Sequence, residues 1–455
     1  MASLRRRPLA PRPASPMDNA HALEHRLPLA GTRWRLRRGA GSAALAAMTV
    51  VALTLAIGTT GRPSFLVPSS AGGYPDWLQG PFGLLEAAPV FADGYSVLLL
   101  AMVGAYLVVL VCARELPVRW AIGAVVVLHL IFMLAPPLLT TDVFGYLGFG
   151  RVGAVHGLNP YEIGPGLVPG DPTAPFEIWH DLPSPYGPLF VALTYATAPL
   201  GLAAGLWTFK VAAAAASLGC VALVWATAKR LGRDPLSAAL FVGLNPLVLV
   251  HVVGGAHNDV FMVLPLLAGV YLAVAGRERL GAAAIVCAAA VKTTAAIALP
   301  FLVIASDERR RLLAAIVGAA VAVGIVVLAV IGTDVTDFPA ALGKQDDLVS
   351  EHSVPYYLGS ALGLGGATEG VKLAASLALA VALVLLAVRV WRGMDWIAAA
   401  GWATLALLLT TVWLMPWYVL WLLPLAALAG GAWLRGAALA LTLAIVFTRV
   451  PLLLG

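Results

Sequence analysis

The stretch PLSAALFVGLNPLVLVHVVGGAHNDVFMVLPLLAGVYLAVAG, residues 235–276, decides how this chain folds. It contains two apolar runs, 235–253 and 258–276, each long enough to cross a hydrocarbon core of about 30 Å as a helix. The few residues between them leave almost no loop. His257, Asn258 and Asp259 are therefore expected to pack close to the membrane, where polar groups usually have a task. Two consecutive spans around a polar knot describe an all-α, polytopic integral membrane protein.

The rest of the 455 residues agree with that reading. Only 11% of side chains are charged and 60% are hydrophobic, with a mean hydropathy of +0.90. So few polar side chains cannot cover a soluble domain, which excludes a soluble enzyme, a disordered scaffold and a nucleic-acid binder. Cys112, Cys220 and Cys287 lie far apart in apolar runs and read as small hydrophobes, not as a disulfide framework or a zinc cluster. Further apolar runs lie at 39–58, 94–113, 118–139, 203–230, 312–332, 370–390, 395–414, 417–434 and 436–453, eleven full spans in all. Residues 280–305 are apolar as well, but Arg277 and Arg279 precede them and Arg309–Arg311 follow. Positive-inside logic puts both ends in the cytoplasm, so this segment is expected to be a hairpin of two short helices turning near Lys292.

Residues 1–38, rich in Pro and Arg, read as a disordered basic cytoplasmic tail, and 39–58 as a signal anchor that leaves the N-terminus inside. Residues 39–455 then form one transmembrane domain. With this assignment most of the 29 Lys and Arg fall on the cytoplasmic side and most of the 23 Asp and Glu on the other. The long segments 59–93, 140–202 and 333–369 become outer loops, in which Leu189–Leu202 and Val354–Leu364 suit helices lying along the interface.

Candidate chemistry clusters on those outer segments. Asp142 follows a helix ending in Pro136-Pro137 and shares a helical face with Tyr146, at the boundary where a carboxylate can serve as a general base. It could equally cap the next helix, since Thr140-Thr141-Asp142 is good N-cap chemistry. Asn159-Pro160-Tyr161 lies further along the same loop. In Pro185-Tyr186-Gly187-Pro188 the prolines stiffen a turn that can present the Tyr186 ring to a sugar, or only feed an interfacial helix. Asn245-Pro246 stands inside an expected span. The pairing of His257 with Asp259 allows a divalent metal but supplies no third ligand nearby, so no metal or other cofactor is indicated. Lys292 is a lone cation in apolar sequence and calls for a buried anion, either a ligand phosphate or a carboxylate such as Asp259. Pro416 breaks the helix at a span boundary, where Trp417 and Tyr418 otherwise read as interface anchors, and Arg449 is a second candidate phosphate partner or an end-of-helix charge.

This ordered set (Thr141-Asp142 with Tyr146, Asn159-Pro160-Tyr161, Pro185-Tyr186-Gly187-Pro188, Asn245-Pro246, Gly254 to Asp259, Lys292 and Pro416-Trp417-Tyr418) resembles the polyprenyl-phosphate-mannose-dependent α-(1→6)-mannosyltransferases of actinobacteria. Those enzymes belong to the GT-C superfamily of membrane glycosyltransferases. The resemblance runs from about residue 120 to about residue 425 and implies a GT-C-like fold of about 11–13 transmembrane helices. It also implies a polyprenyl-phosphate-linked sugar as donor, a glycolipid or oligomannoside as acceptor, and Asp142 as the base of an inverting single displacement. Tyr146, Asn159, Tyr161, Tyr186, His257, Asn258, Asp259, Trp417 and Tyr418 would then bind substrate, and Lys292 and Arg449 the donor phosphate. The site would face outward from a bacterial plasma membrane. The main alternative is a transporter or flippase of lipid-linked sugars, with Asp142, Asp259 and Lys292 along its path.

Overall fold

The computed structural model describes residues 27–61, 66–67, 75–85, 88–345 and 347–449, and among them every regular element is a helix. The α-helices of seven or more residues are α1 (Leu27–Gly58), α2 (Ala92–Val111), α3 (Val118–Leu134), α4 (Asp142–Ala154), α5 (Pro188–Thr197), α6 (Gly201–Arg230), α7 (Pro235–Gly243) and α8 (Asp259–Val274). They continue as α9 (Glu278–Val291), α10 Leu299–Ala305 with the 3₁₀ turn before it, α11 (Arg309–Ile331), α12 (Val354–Ala361), α13 (Glu369–Trp391), α14 (Trp396–Thr410), α15 (Val419–Leu428) and α16 (Ala432–Arg449). In hydrocarbon a backbone has no water to bond, so apolar segments must satisfy their own N–H and C=O groups as helices.

Among the described residues, six helical stretches are long and apolar enough to cross a membrane: Trp34–Gly58, Ala92–Val111, Pro188–Arg230, Arg309–Gly343, Glu369–Trp391 and Ala432–Arg449. The chain is thus a polytopic all-α membrane protein. The outer face of α13 shows why. It exposes Leu373, Leu377, Val381, Val384, Leu385 and Val388, a stripe that only lipid can cover.

The sequence expects eleven full spans, and the remaining apolar helices are shorter than that expectation because the chain breaks them. The run 235–253 is not one helix. Helix α7 stops at Gly243, the Asn245 side-chain carbonyl accepts the Leu247 N–H at 3.0 Å, and Pro246 cannot continue the ladder. A π-turn, Val248–Val253, then carries the chain to Gly254. Helix α14 stops at Thr410, short of the expected 414, and α15 ends at Leu428, not 434. Gly430, at φ +72°, makes the turn into α16. At the other end α1 reaches back to Leu27, so Leu27 to Arg38 is helical where a disordered tail is expected. The rest of that tail lies outside the described residues.

The hairpin expected around Lys292 is present. Helix α9 ends at Val291, Lys292 is extended (φ −153°, ψ 121°), and a 3₁₀ turn leads into α10. The two open ends of the hairpin meet, Arg279 donating to Glu308 at 3.0 Å and Ser306 Oγ to Glu278. α9 packs between α8 and α11, which places the hairpin tip in the middle of the bundle.

Candidate active site

A cavity of about 330 Å³ opens where the broken elements converge: the start of α4, the loop before α5, the start of α8, the hairpin tip and the 411–418 strap. Asp142, Tyr186, Asn258, Lys292, Trp417 and Tyr418 line it, together with Glu177, Thr293, Thr294, Trp413 and Trp421.

Asp142 is the first residue of α4, and Thr141 occupies the N-cap position. The Asp142 carboxylate is thus not spent on capping. It lies at the positive end of the helix and faces the His257 ring, Oδ2 to Nε2 at 3.5 Å. Burial raises its pKa, but His257, a hydrogen bond with Thr140 and the charge of Lys292 together outweigh this and hold it below the usual carboxylate range. His257 is fully buried. Its Nδ1 donates to the His251 carbonyl (2.7 Å), because a carbonyl can only accept, and its ring stacks on Trp417 at 3.6 Å between centroids.

The two segments that carry Asp142 and His257 are held against each other under backbone strain. Leu139 (φ 59°) and Ala256 (φ 54°) are the non-glycine residues with positive φ among the described residues, and they flank these two side chains. The Leu138 N–H donates to the Gly254 carbonyl at 3.1 Å. Beneath them Lys210 is fully buried and donates to the carbonyls of Phe132 (2.7 Å), Val253 (3.3 Å) and Gly254 (2.6 Å). A lysine thus closes the carbonyl end of α3 and of the π-turn at once. Sequence reasoning missed Lys210, although the signal that singles out Lys292, one cation in an apolar run, is present there too.

Lys292 finds a carboxylate. Its Nζ lies 2.7 Å from Asp259 Oδ1, which also accepts the Trp421 indole N–H at 2.6 Å. The ammonium sits over the rings of Tyr418 (4.6 Å) and Trp421 (4.9 Å). Asp259 is completely buried and Oδ2 has no hydrogen-bond partner, whereas Lys292 opens onto the cavity. Three N–H groups on one ammonium leave donors for a ligand beyond the one given to Asp259.

Tyr146 is buried one layer behind the lining. Its hydroxyl accepts the Asn258 N–H at 3.2 Å, and its ring meets the edges of Tyr186 and Phe190. Gly187 lets the Tyr186 loop press on the hairpin tip. Its N–H donates to the Val291 carbonyl at 3.1 Å, and a Cβ there would overlap the Ala290 carbonyl. The remaining three sequence candidates lie outside the cavity lining. Asn159 donates to Asp337 (2.7 Å), and Tyr161 packs on Phe338, fastening the loop between α4 and α5 to the segment after α11. Arg449 donates to Ser350 Oγ (3.2 Å) and the Leu414 carbonyl (2.9 Å), tying together the two loop segments that bear Leu348 and Trp413.

Glu177 was also missed. It is 1% exposed, Oε1 accepts the Trp179 N–H at 2.8 Å, and Oε2 is unpartnered. Trp179 beside it reaches the edge of Trp413 at 5.9 Å, across the cavity. Among the described residues no group of three or more His, Cys, Asp or Glu is placed to hold a metal ion.

Residues 39–308 match the family described as alpha-(1->6)-mannopyranosyltransferase, N-terminal domain. The chain is similar to alpha-(1->6)-mannopyranosyltransferase A of Mycobacterium tuberculosis, 36% identical over 237 residues, which cover 50% of this chain and 44% of that one. It is also similar to alpha-(1->6)-mannopyranosyltransferase B of Corynebacterium glutamicum, 29% identical over 368 residues, 70% of this chain and 60% of that one. The chain thus spans about half the length of the relatives it matches. No solved structure matches it. The family match contains Asp142, Glu177, His257, Asp259 and Lys292, and ends before the 411–418 strap.

Proposed function

From the premise that this chain belongs to the alpha-(1->6)-mannopyranosyltransferase family, we propose that it transfers a mannosyl residue from a polyprenyl-phosphate donor to a glycolipid or oligomannoside acceptor. The observation that carries this reading is one cavity with a partly exposed carboxylate, Asp142, and a cavity-facing ammonium, Lys292, among aromatic rings.

A donor anchored by its lipid tail keeps its phosphate near the membrane boundary and its sugar in the polar cleft. Lys292, with one proton committed to Asp259, offers its remaining donors to the phosphate oxygens and stabilises the charge that grows there as the sugar leaves. The acceptor hydroxyl attacks the anomeric carbon from the opposite face. Asp142 takes its proton, the new C–O bond forms, and the electron pair of the old one departs on the polyprenyl phosphate. Trp413, Trp417 and Tyr186 provide apolar faces for the sugar rings. The excess of Lys and Arg on the loops opposite this cavity supports an outward-facing site.

The test is to reconstitute the full chain in lipid vesicles with radiolabelled mannosyl polyprenyl phosphate and an oligomannoside acceptor. The expected result is acceptor extension matched by release of polyprenyl phosphate. Movement of the intact lipid-linked sugar across the vesicle with no extension would overturn the transferase reading and favour a flippase.

A further inference from the structure

Outside the roles assigned above, the least explained polar group facing the cavity is the Glu177 carboxyl. The loop between α4 and α5 buries it, and Oε1 is committed to the Trp179 N–H. Oε2 has no partner, lines the same cavity as Asp142, and lies against α4 at Gly145, three residues along the helix from Asp142. A Cβ at position 145 would overlap Oε2, so glycine is what lets the carboxyl reach this place. A buried, half-used carboxyl aimed into a cavity costs stability unless a ligand completes it.

We propose that Glu177 is a sugar-binding residue, its carboxyl group donating a hydrogen bond from Oε2 to one hydroxyl of the substrate held beside Asp142. This rests on the reading of the cavity as a glycosyl-transfer site.

The electrostatics support a donor role. Burial pushes the Glu177 carboxyl up to about 8, the Trp179 N–H works against this, and the Asp142 charge adds to it. The titratable groups facing it are Asp142 on α4, whose charge disfavours a second negative charge beside it, and the Tyr186 hydroxyl on the loop before α5, which burial keeps neutral. Near neutral pH the two carboxyls therefore differ, Asp142 ionised and Glu177 protonated. One accepts a proton from a hydroxyl while the other donates a hydrogen bond, and they do not compete.

Transfer by the full-length protein is to be measured for wild type, Glu177→Gln and Glu177→Ala across pH 5–10, with a dimannoside acceptor, its monodeoxy analogues and monodeoxy donors. Wild type is expected to discriminate strongly against one deoxy analogue and to lose activity above pH about 8 as the donor proton is lost. Glu177→Gln keeps an N–H donor, so it is expected to lower the neutral rate only about threefold while abolishing the basic limb. Glu177→Ala is expected to slow transfer about 10- to 100-fold and to accept that deoxy analogue as readily as the parent sugar. A basic limb unchanged in Glu177→Gln, or discrimination unchanged in Glu177→Ala, would overturn the assignment while leaving the transferase reading intact. No transfer by wild type from any lipid-linked sugar would overturn both. Should the alanine variant fail to fold, the pH profile of the glutamine variant decides alone.

Discussion

Replacing Asp259 by alanine is expected to destabilise the protein by about 3–5 kcal/mol, because it strands the Lys292 ammonium and the Trp421 indole N–H beside a fully buried position. Removing only one member of a buried pair leaves an uncompensated charge, whereas removing both does not. The double variant Asp259→Ala with Lys292→Met is therefore expected to recover most of the lost stability, read as thermal unfolding in one detergent. Activity should not follow stability. The double variant lacks the cation assigned to the leaving phosphate, and its transfer rate is expected to stay at least 100-fold below wild type. A double variant that regains activity along with stability would assign Lys292 to structure alone, as the partner that buried Asp259 requires.

The second large effect is at Asp142. Asparagine preserves shape at the first position of α4 but cannot take a proton, so Asp142→Asn is expected to lower kcat by about 10²- to 10⁴-fold with little change in acceptor KM. His257 helps to hold the Asp142 carboxyl below its usual range. Removing that ring lets the pKa rise, so in His257→Gln the acid limb of the rate profile is expected to move to higher pH. A rate in Asp142→Asn within tenfold of wild type would remove Asp142 from the base role. An acid limb unmoved in His257→Gln would remove the ring from its support.

The residues that were legible in the sequence share one property, that apolar surroundings make them expensive. Lys292 and Asp259 stand out because a charge inside a span must be matched, and the structure matches them to each other. The same rule applied to Lys210 finds an isolated cation in α6, but not that its acceptors are three carbonyls on two other elements. Glu177 carries no such signal. It lies in a polar loop like Glu162 and Asp181, and only the folding of that loop over Gly145 brings it beside Asp142. Asn159, Tyr161 and Arg449 belong to suggestive motifs, but their partners, Asp337, Phe338, Ser350 and Leu414, lie more than thirty residues away along the chain. For the fold, apolar run length located the helices well, including the hairpin at Lys292. It overestimated the unbroken span at 235–253, which Asn245-Pro246 interrupts, whereas Pro416 falls between two expected spans, within the strap that lines the cavity.

The stereochemical course of the reaction tests the central claim most directly. A single displacement with Asp142 as base inverts the anomeric carbon, while attack by Asp142 itself would give a covalent intermediate and net retention. With β-mannosyl polyprenyl phosphate as donor and an oligomannoside acceptor, the anomeric configuration of the new linkage can be read by NMR. The account predicts an α-linked product; a β-linked product would contradict it.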